Sequence, residues 1–165
     1  MAPLHICEVV IRNAVSDALT AVYGANWPWS SVFEASLPSP TGSYNPRTDL
    51  RSNRVRHATP GKVIPELKFV FWQKMFTSRF DVRLWNPHLR NVLPNLDPTK
   101  TVAQLRQEIY TDLEHVRLLR NRIAHHEPIF RRNLRDDLDK VAALVRCRCK
   151  LTADWMQGQW VTVYL

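Results

Sequence analysis

Arg120, Asn121, His125 and His126 fall within one short stretch, RNRIAHHEPI, at positions 120–129. Their side chains suit phosphoryl chemistry. Arg grips phosphate as a bidentate fork and stays charged, and His moves protons near neutral pH. Cleavage of RNA without a metal needs these groups. One takes the 2′-OH proton, another protonates the leaving 5′-oxygen, and a cation stabilises the crowded phosphate. RNA carries its own nucleophile and DNA does not, so this set, if catalytic, points to RNA. Residues four apart share a helix face, which lets the Asn121 amide orient the His125 imidazole or bond the same ligand. Arg120 and His125 are about 140° apart on an ideal helix, too far round to converge on a small ligand. Either the helix unwinds ahead of Pro128, or a second copy of the chain completes the site. Arg and His at a helix C-terminus also complement its dipole with no chemistry at all.

The elements that must hold these residues are helical. Leu4, Ile11 and Ala18 repeat every seven residues, with Cys7, Val10, Ala14, Val15 and Val22 on the same broad side. This spacing predicts a first helix over 3–23, closed by Gly24. The stretch 37–59, rich in Pro, Ser, Asn and Arg, reads as an exposed basic loop with at most a short helix. Its Arg47, Arg51, Arg54 and Arg56 have little reason to pack and are candidates for RNA backbone contact. Thr59-Pro60 is a helix start, Pro65 disturbs the first turn, and a firm second helix is expected over 66–77. Its aromatic residues make it a central one. Val102, Leu105, Ile109, Leu113, Val116, Leu119 and Ile123 step by threes and fours. They mark the third and longest helix, opened by a Thr101/Gln104 capping box and ended by Pro128. A fourth helix is expected over 131–146. The tail 150–165 reads as an appendage, a short helix followed by a strand. The expectation is an all-α bundle of four main helices, one domain over 1–165, with a long basic loop between the first helix and the second.

Composition narrows the function. The chain has 165 residues, a formal charge of +8 and 45% hydrophobic residues, so it is neither disordered nor acidic. Such a balance favours a polyanionic partner, most often nucleic acid. No apolar run reaches the ~18 residues of a membrane span, and the N-terminus is a poor signal peptide. Cys7, Cys147 and Cys149 are an odd number without zinc spacing, which argues against a disulfide framework and fits a reducing cytoplasm. Carboxylate–histidine metal bundles use Glu-x-x-His, and none of the chain's Glu residues stands in that relation to a His. No metal and no cofactor is expected. Only four glycines occur and no Gly-rich phosphate loop, which leaves an enzyme of nucleotide or protein modification without support.

An Arg followed by a polar residue and, after four residues, a His, at the end of a long helix in an all-α chain, resembles the signature of the HEPN superfamily. The fuller string RNRIAHHEPIF is similar to its Abi-like (abortive infection) branch. LHICEVVIRNAV resembles the first helix of that branch, with Glu8 and Arg12 four apart, and TPGKVIPELKFVFWQKMF followed by LW-x-P resembles its central segment. The resemblance covers more than half of the chain. It implies a metal-independent endoribonuclease acting as a toxin or phage-defence effector, a homodimer with two motifs facing one cleft, and an antitoxin, protein or RNA, as a further partner. It implies that Arg120 binds the scissile phosphate, that His125 is the acid/base with Asn121 assisting, and that Glu8 and Arg12 brace the motif. His126 also fits the family's looser spacing. Two departures stand out: the chain starts almost at the first motif helix, and Pro65 sits where a continuous helix is expected. The alternative function is a non-catalytic helical module that binds RNA or a partner protein with the same basic surface.

Overall fold

Apolar residues at three- and four-residue spacing bury one face of a helix, and the first such run does so along its whole length. The computed structural model describes residues 2–129 and 133–163. In it, α1 (Ala2–Tyr23) buries Leu4, Cys7, Ile11, Ala14, Val15, Ala18 and Leu19. It stops at Gly24, whose φ of +85° suits a residue without a Cβ. Burial pushes the Cys7 thiol up to about 12, which makes it a core residue and not a nucleophile.

The regular structure of the described residues is helical, with no strand. Helix is found in each of the four expected places, as α1, α5 (Phe69–Lys74), α7 (Val102–Ala124) and α8 (Leu134–Arg148), but α5 has only six residues against the expected 66–77, and these are not a bundle of four main helices. Further helices join them: α2 (Ser31–Ser36), α3 (Pro46–Arg56), α4 (Pro60–Glu66), α6 (Asn86–Val92) and α9 (Lys150–Val163). The expected second helix is in fact split. Leu67 and Lys68 are both extended, and they separate α4, with Pro65 in its last turn, from α5. Proline removes one donor, and the break carries the Leu67 side chain into the core at 2% exposure. The centrality expected of the aromatic segment holds, since Phe69, Phe71, Trp72, Met75 and Phe76 are all buried. Trp27 meets Phe33 and Trp72 edge-on at 5.3 and 6.3 Å, and Trp85 stacks on Phe76 at 4.5 Å. Buried indoles usually find a partner for their N–H, although that of Trp72 has none among the described residues. Trp27 donates to Ser16 Oγ and Trp85 to the Met75 carbonyl.

The segment 37–59 is not the long open loop that its composition suggests. Its middle is the helix α3, started by Asn45, whose side chain accepts from the Thr48 N–H, with Pro46 in the first turn. Leu50 and Asn53 are buried. Three of its four arginines hold the helix in place. Arg47 donates to the Ala35 and Leu37 carbonyls, Arg54 to the Pro28 carbonyl, and Arg51 and Arg54 both pair with Glu34 of α2. Arg56 is exposed and makes no ion pair among the described residues. Asp49 of α3 accepts from Tyr44 Oη at 2.6 Å and from the Lys68 N–H at 3.2 Å, so α3 also fixes the break ahead of α5.

The start expected for the fourth helix, at 131, lies outside the described residues, and the helix itself begins after Asn133, whose side chain accepts from the Asp136 N–H. The strand expected near the C-terminus is replaced by helix up to Val163; the two last positions lie outside the described residues. Ala153 and Met156 of α9 are buried in the same cluster as the α1 and α7 faces, so the backbone there follows the packing against α8 and not the β-branched composition. Among the described residues no helix is long and apolar enough to cross a membrane.

Burial pushes the Glu34 carboxyl up, but hydrogen bonds from Arg51 and Arg54 outweigh it and hold the group below its ordinary value of 4.5. A carboxylate whose folded value is depressed adds stability above the unfolded value and loses it as pH falls through the folded one. Glu34→Gln should therefore lower the melting temperature by a few degrees at pH 7 and flatten the dependence of stability on pH below about 4.5. Equal slopes for both proteins in acid urea titrations would show that Glu34 does not clamp α3.

Candidate functional site

The motif sits at the far end of α7, and both ends of that helix are built by local chemistry. At the start, Thr101 Oγ1 accepts from the Gln104 N–H at 3.2 Å, and Gln104 Oε1 accepts from the Thr101 N–H at 2.9 Å, the expected capping box. Leu105, Ile109, Leu113, Val116 and Leu119 turn inward. At the end, the helix stops at Ala124, four residues before Pro128. His125 is the capping residue. The His126 N–H donates to the Ile123 carbonyl at 3.2 Å and the Glu127 N–H to the Arg122 carbonyl at 2.8 Å. This pair of bonds is a Schellman ending. It requires the left-handed conformation at His126, whose φ is +54°. A glycine is usual there; a histidine is tolerated at a cost.

On its outer edge α7 lines a cleft of about 390 Å³ with Arg117, Arg120 and Asn121, opposite Glu8 of α1 and the 65–70 break between α4 and α5. Arg120 Nε lies 3.4 Å from Glu8 Oε2, and its guanidinium carbon is 6.0 Å from the Phe69 ring centroid. The carboxylate fixes the fork from one side and the ring supports it from another. Among the described residues no hydrogen bond engages the Arg120 guanidinium, and its side chain is 42% exposed. It is oriented, with its donors still open. Arg117, one turn earlier, is different. It forks onto Glu114 at 2.6 and 3.0 Å, and Gln73 donates to the same carboxylate. The hydrogen bond from Arg117 holds the Glu114 carboxyl below its ordinary range and pushes the Arg117 guanidinium up.

The structure brings Glu8, Arg120 and Asn121 to one cleft. It joins Asn121 and His125 through the backbone only: the Asn121 carbonyl accepts the His125 N–H at 2.9 Å, and the Asn121 amide makes no hydrogen bond among the described residues. His125 and His126 are exposed and do not line the Arg120 cleft. Within one chain His125 therefore stays apart from the Arg120 cleft, as the angle between the two positions on a helix requires. Arg12, expected beside Glu8, faces a second cleft against α4 and Arg148. Phe69, Lys68 and Arg117 are among the cleft residues that the motif did not indicate. Arg117 could have been found at the i−3 position from Arg120, but nothing in the sequence sets Phe69 under a particular arginine. Among the described residues no group of His, Cys, Asp and Glu is arranged to hold a metal.

Comparison of the chain with known proteins finds no matching family model, no matching curated protein and no matching solved structure.

The left-handed turn at His126 is a conformational demand that glycine meets without strain. His126→Gly should raise the unfolding free energy by about 1 kcal/mol, measured by urea denaturation. Destabilisation by that substitution would mean that the His126 side chain, and not its backbone, secures the end of α7.

Proposed function

We propose that this chain is a metal-independent endoribonuclease of the HEPN type, with a composite site made by two copies of the chain, acting as a toxin or abortive-infection effector. The observation that carries this reading is Arg120: a guanidinium aimed by Glu8 at 3.4 Å and by Phe69, at the edge of a cleft, with no hydrogen bond to its N–H donors among the described residues. An oriented cation with free donors matches what a phosphate needs as charge builds up on its oxygens. In this reading the substrate's 2′-oxygen attacks phosphorus while the bond to the 5′-oxygen breaks. One His125 takes the 2′-OH proton, and the His125 of a second copy gives a proton to the leaving oxygen. The products are a 2′,3′-cyclic phosphate and a 5′-hydroxyl. Asn121, on the rim beside Arg120, bonds the same phosphate group. Among the basic residues of α3, Arg56 and the outward Arg51 would meet the RNA backbone, whereas Arg47 and Arg54 serve the fold. An antitoxin, protein or RNA, and the reducing cytoplasm belong to the same reading.

A second reading rests on the separation of His125 from the Arg120 cleft: a helical module that binds RNA or a partner and cuts nothing. The two part company on purified protein and total RNA. The nuclease should cut in the presence of EDTA and leave 2′,3′-cyclic ends, and a 2′-deoxy residue at the cut site should block it. His125→Ala should lower the rate by roughly 10²–10⁴, and Arg120→Ala should do comparable damage, while His126→Ala is milder. Cutting of the 2′-deoxy substrate, or loss of activity in EDTA, would falsify the mechanism.

A composite site also requires association. Sedimentation at micromolar concentration should give a dimer, and adding an excess of His125→Ala chains to the wild type should lower activity by more than dilution, because a mixed dimer lacks one of the two His125 groups that the reaction uses. A monomer that still cuts RNA would leave the facing-motif arrangement without support.

A further inference from the structure

We infer that the cleft around Arg12 is a second phosphate subsite, which takes the RNA phosphate next to the one at Arg120. The inference rests on the reading of the chain as an RNA-binding nuclease, and it names how that site grips a strand.

Arg12 is the reason. Its Nε is shielded from solvent and has no hydrogen-bond partner, and no carboxylate among the described residues forms an ion pair with it. The Nε atoms of Arg47 and Arg106 are shielded and unbonded too, but Arg47 donates to two carbonyls and Arg106 pairs with Asp81, whereas the half-buried Arg12 has no such partner among the described residues. A shielded donor left unbonded is costly, about 1–3 kcal/mol, and calls for an explanation. The neighbouring arginines show how this chain otherwise treats a guanidinium. Arg148 pairs with Asp17 at 2.5 Å and donates to the Val92 carbonyl, Arg106 pairs with Asp81 at 2.7 Å, and Arg117 forks onto Glu114. Arg12 alone of these four lacks an acid.

The space it borders is a cleft of about 360 Å³ between α1 and α4, lined also by Asn13, Ser16, Asp17, Ile64 and Arg148. Its one carboxylate, Asp17, is held by Arg148, which leaves Arg12 uncompensated. Ser16 Oγ accepts from the Trp27 indole at 3.2 Å, so its own O–H is left to donate elsewhere. Asn13 is exposed and adds an amide. A guanidinium, a hydroxyl proton and an amide around one small space are donors for a compact group with several acceptor oxygens, and phosphate is that group.

Position ties this cleft to the first. Pro65 lines both. Arg12 and Glu8 are four apart on α1, with Cβ atoms ~5–6 Å apart on one face, and Glu8 is the residue that aims Arg120. A strand with one phosphate at Arg120 passes over Pro65 and brings the next to Arg12. The acidic groups facing this path are Glu8, Asp17 and Glu66, of which Glu8 and Asp17 are already paired.

The test uses a 2′-O-methyl hexanucleotide, which cannot be cut, titrated against the full chain over a range of KCl. Arg12→Gln should weaken binding roughly tenfold, equally for all sequences, and reduce the slope of log K against log salt by about 0.7 for the lost phosphate. Arg12→Lys should keep most of the slope. Asn13→Asp, at an exposed position that leaves the fold undisturbed, should weaken binding in the same way by adding a negative charge to the cleft, so the result does not depend on how well Arg12→Gln folds. Unchanged affinity and slope in both Arg12→Gln and Asn13→Asp overturn the subsite, even in an enzyme that cuts RNA. The expected losses in a chain that never cuts ribose RNA uphold the subsite and overturn the nuclease reading. Failure of the wild-type chain to bind the oligonucleotide overturns both.

Discussion

The first helix is buried lengthwise, and the rest of the arrangement follows from it. Ile11, Ala14, Val15, Ala18 and Leu19 are 1% exposed or less. Small residues at 14 and 18 let α5, α6 and α8 close around α1. Glu8, Arg12 and Ser16 are half-buried along one margin of the apolar face of α1, with the exposed Asn13, Asp17 and Thr20 further round the helix. Both clefts lie along that margin. The break at Leu67 and Lys68 is placed by the same constraint. The chain must turn there to send Phe69, Phe71 and Trp72 inward, and the turn leaves the wall against which Arg120 rests.

A second theme is how charge is distributed. The sequence has 23 Lys and Arg against 15 Asp and Glu, which suggests a broad basic surface. Much of that positive charge is internal to the architecture. Glu34 gathers Arg51 and Arg54, Glu114 holds Arg117, Asp81 holds the 7%-exposed Arg106, and Asp17 holds Arg148. Arginine serves here as a structural donor to carbonyls and acids, a role in which its fixed fork is an advantage. Net charge therefore overstates how many cations are free to meet a partner, and the arginines without a full set of bonds carry the functional information.

Sequence reading reached α1 and α7 nearly to the residue, because both have a sustained three-and-four apolar spacing and recognisable ends. Thr101 with Gln104 and Gly24 declare themselves by residue type. It failed where the determining partner is distant in sequence. Nothing within 46–56 announces a packed helix, since only Leu50 among its residues is a large buried apolar one; the helix is held by Glu34 and by carbonyls of 28, 35 and 37. The tail suggested a short helix and then a strand, and the helix instead runs on to Val163. At the motif, spacing put Asn121 and His125 on one helix face, and the structure joins them through the backbone only; the resemblance of the first-helix string pointed to Glu8, which lines the Arg120 cleft. The Schellman turn was invisible because its pivotal residue is a histidine and not a glycine. The different surroundings of Glu8 and Arg12, one turn apart, depend on which later segment packs over each.

The burial of α1 also bears on how the protein is made. Its apolar face is covered in large part by α8, whose last residue, Arg148, bonds Asp17 across most of the chain. During synthesis at roughly 5–20 residues per second, the first helix emerges many seconds before the segment that covers it. Through that interval the nascent chain carries an unsheltered apolar helix, a ready target for a holding chaperone and a source of aggregation. The polar edge of α1 gains its wall against α4 and α5 early, whereas Arg148, which lines the cleft at Arg12 and pairs with Asp17, comes last. A product of translation cut short before α8 therefore carries Arg12 without one wall of its cleft.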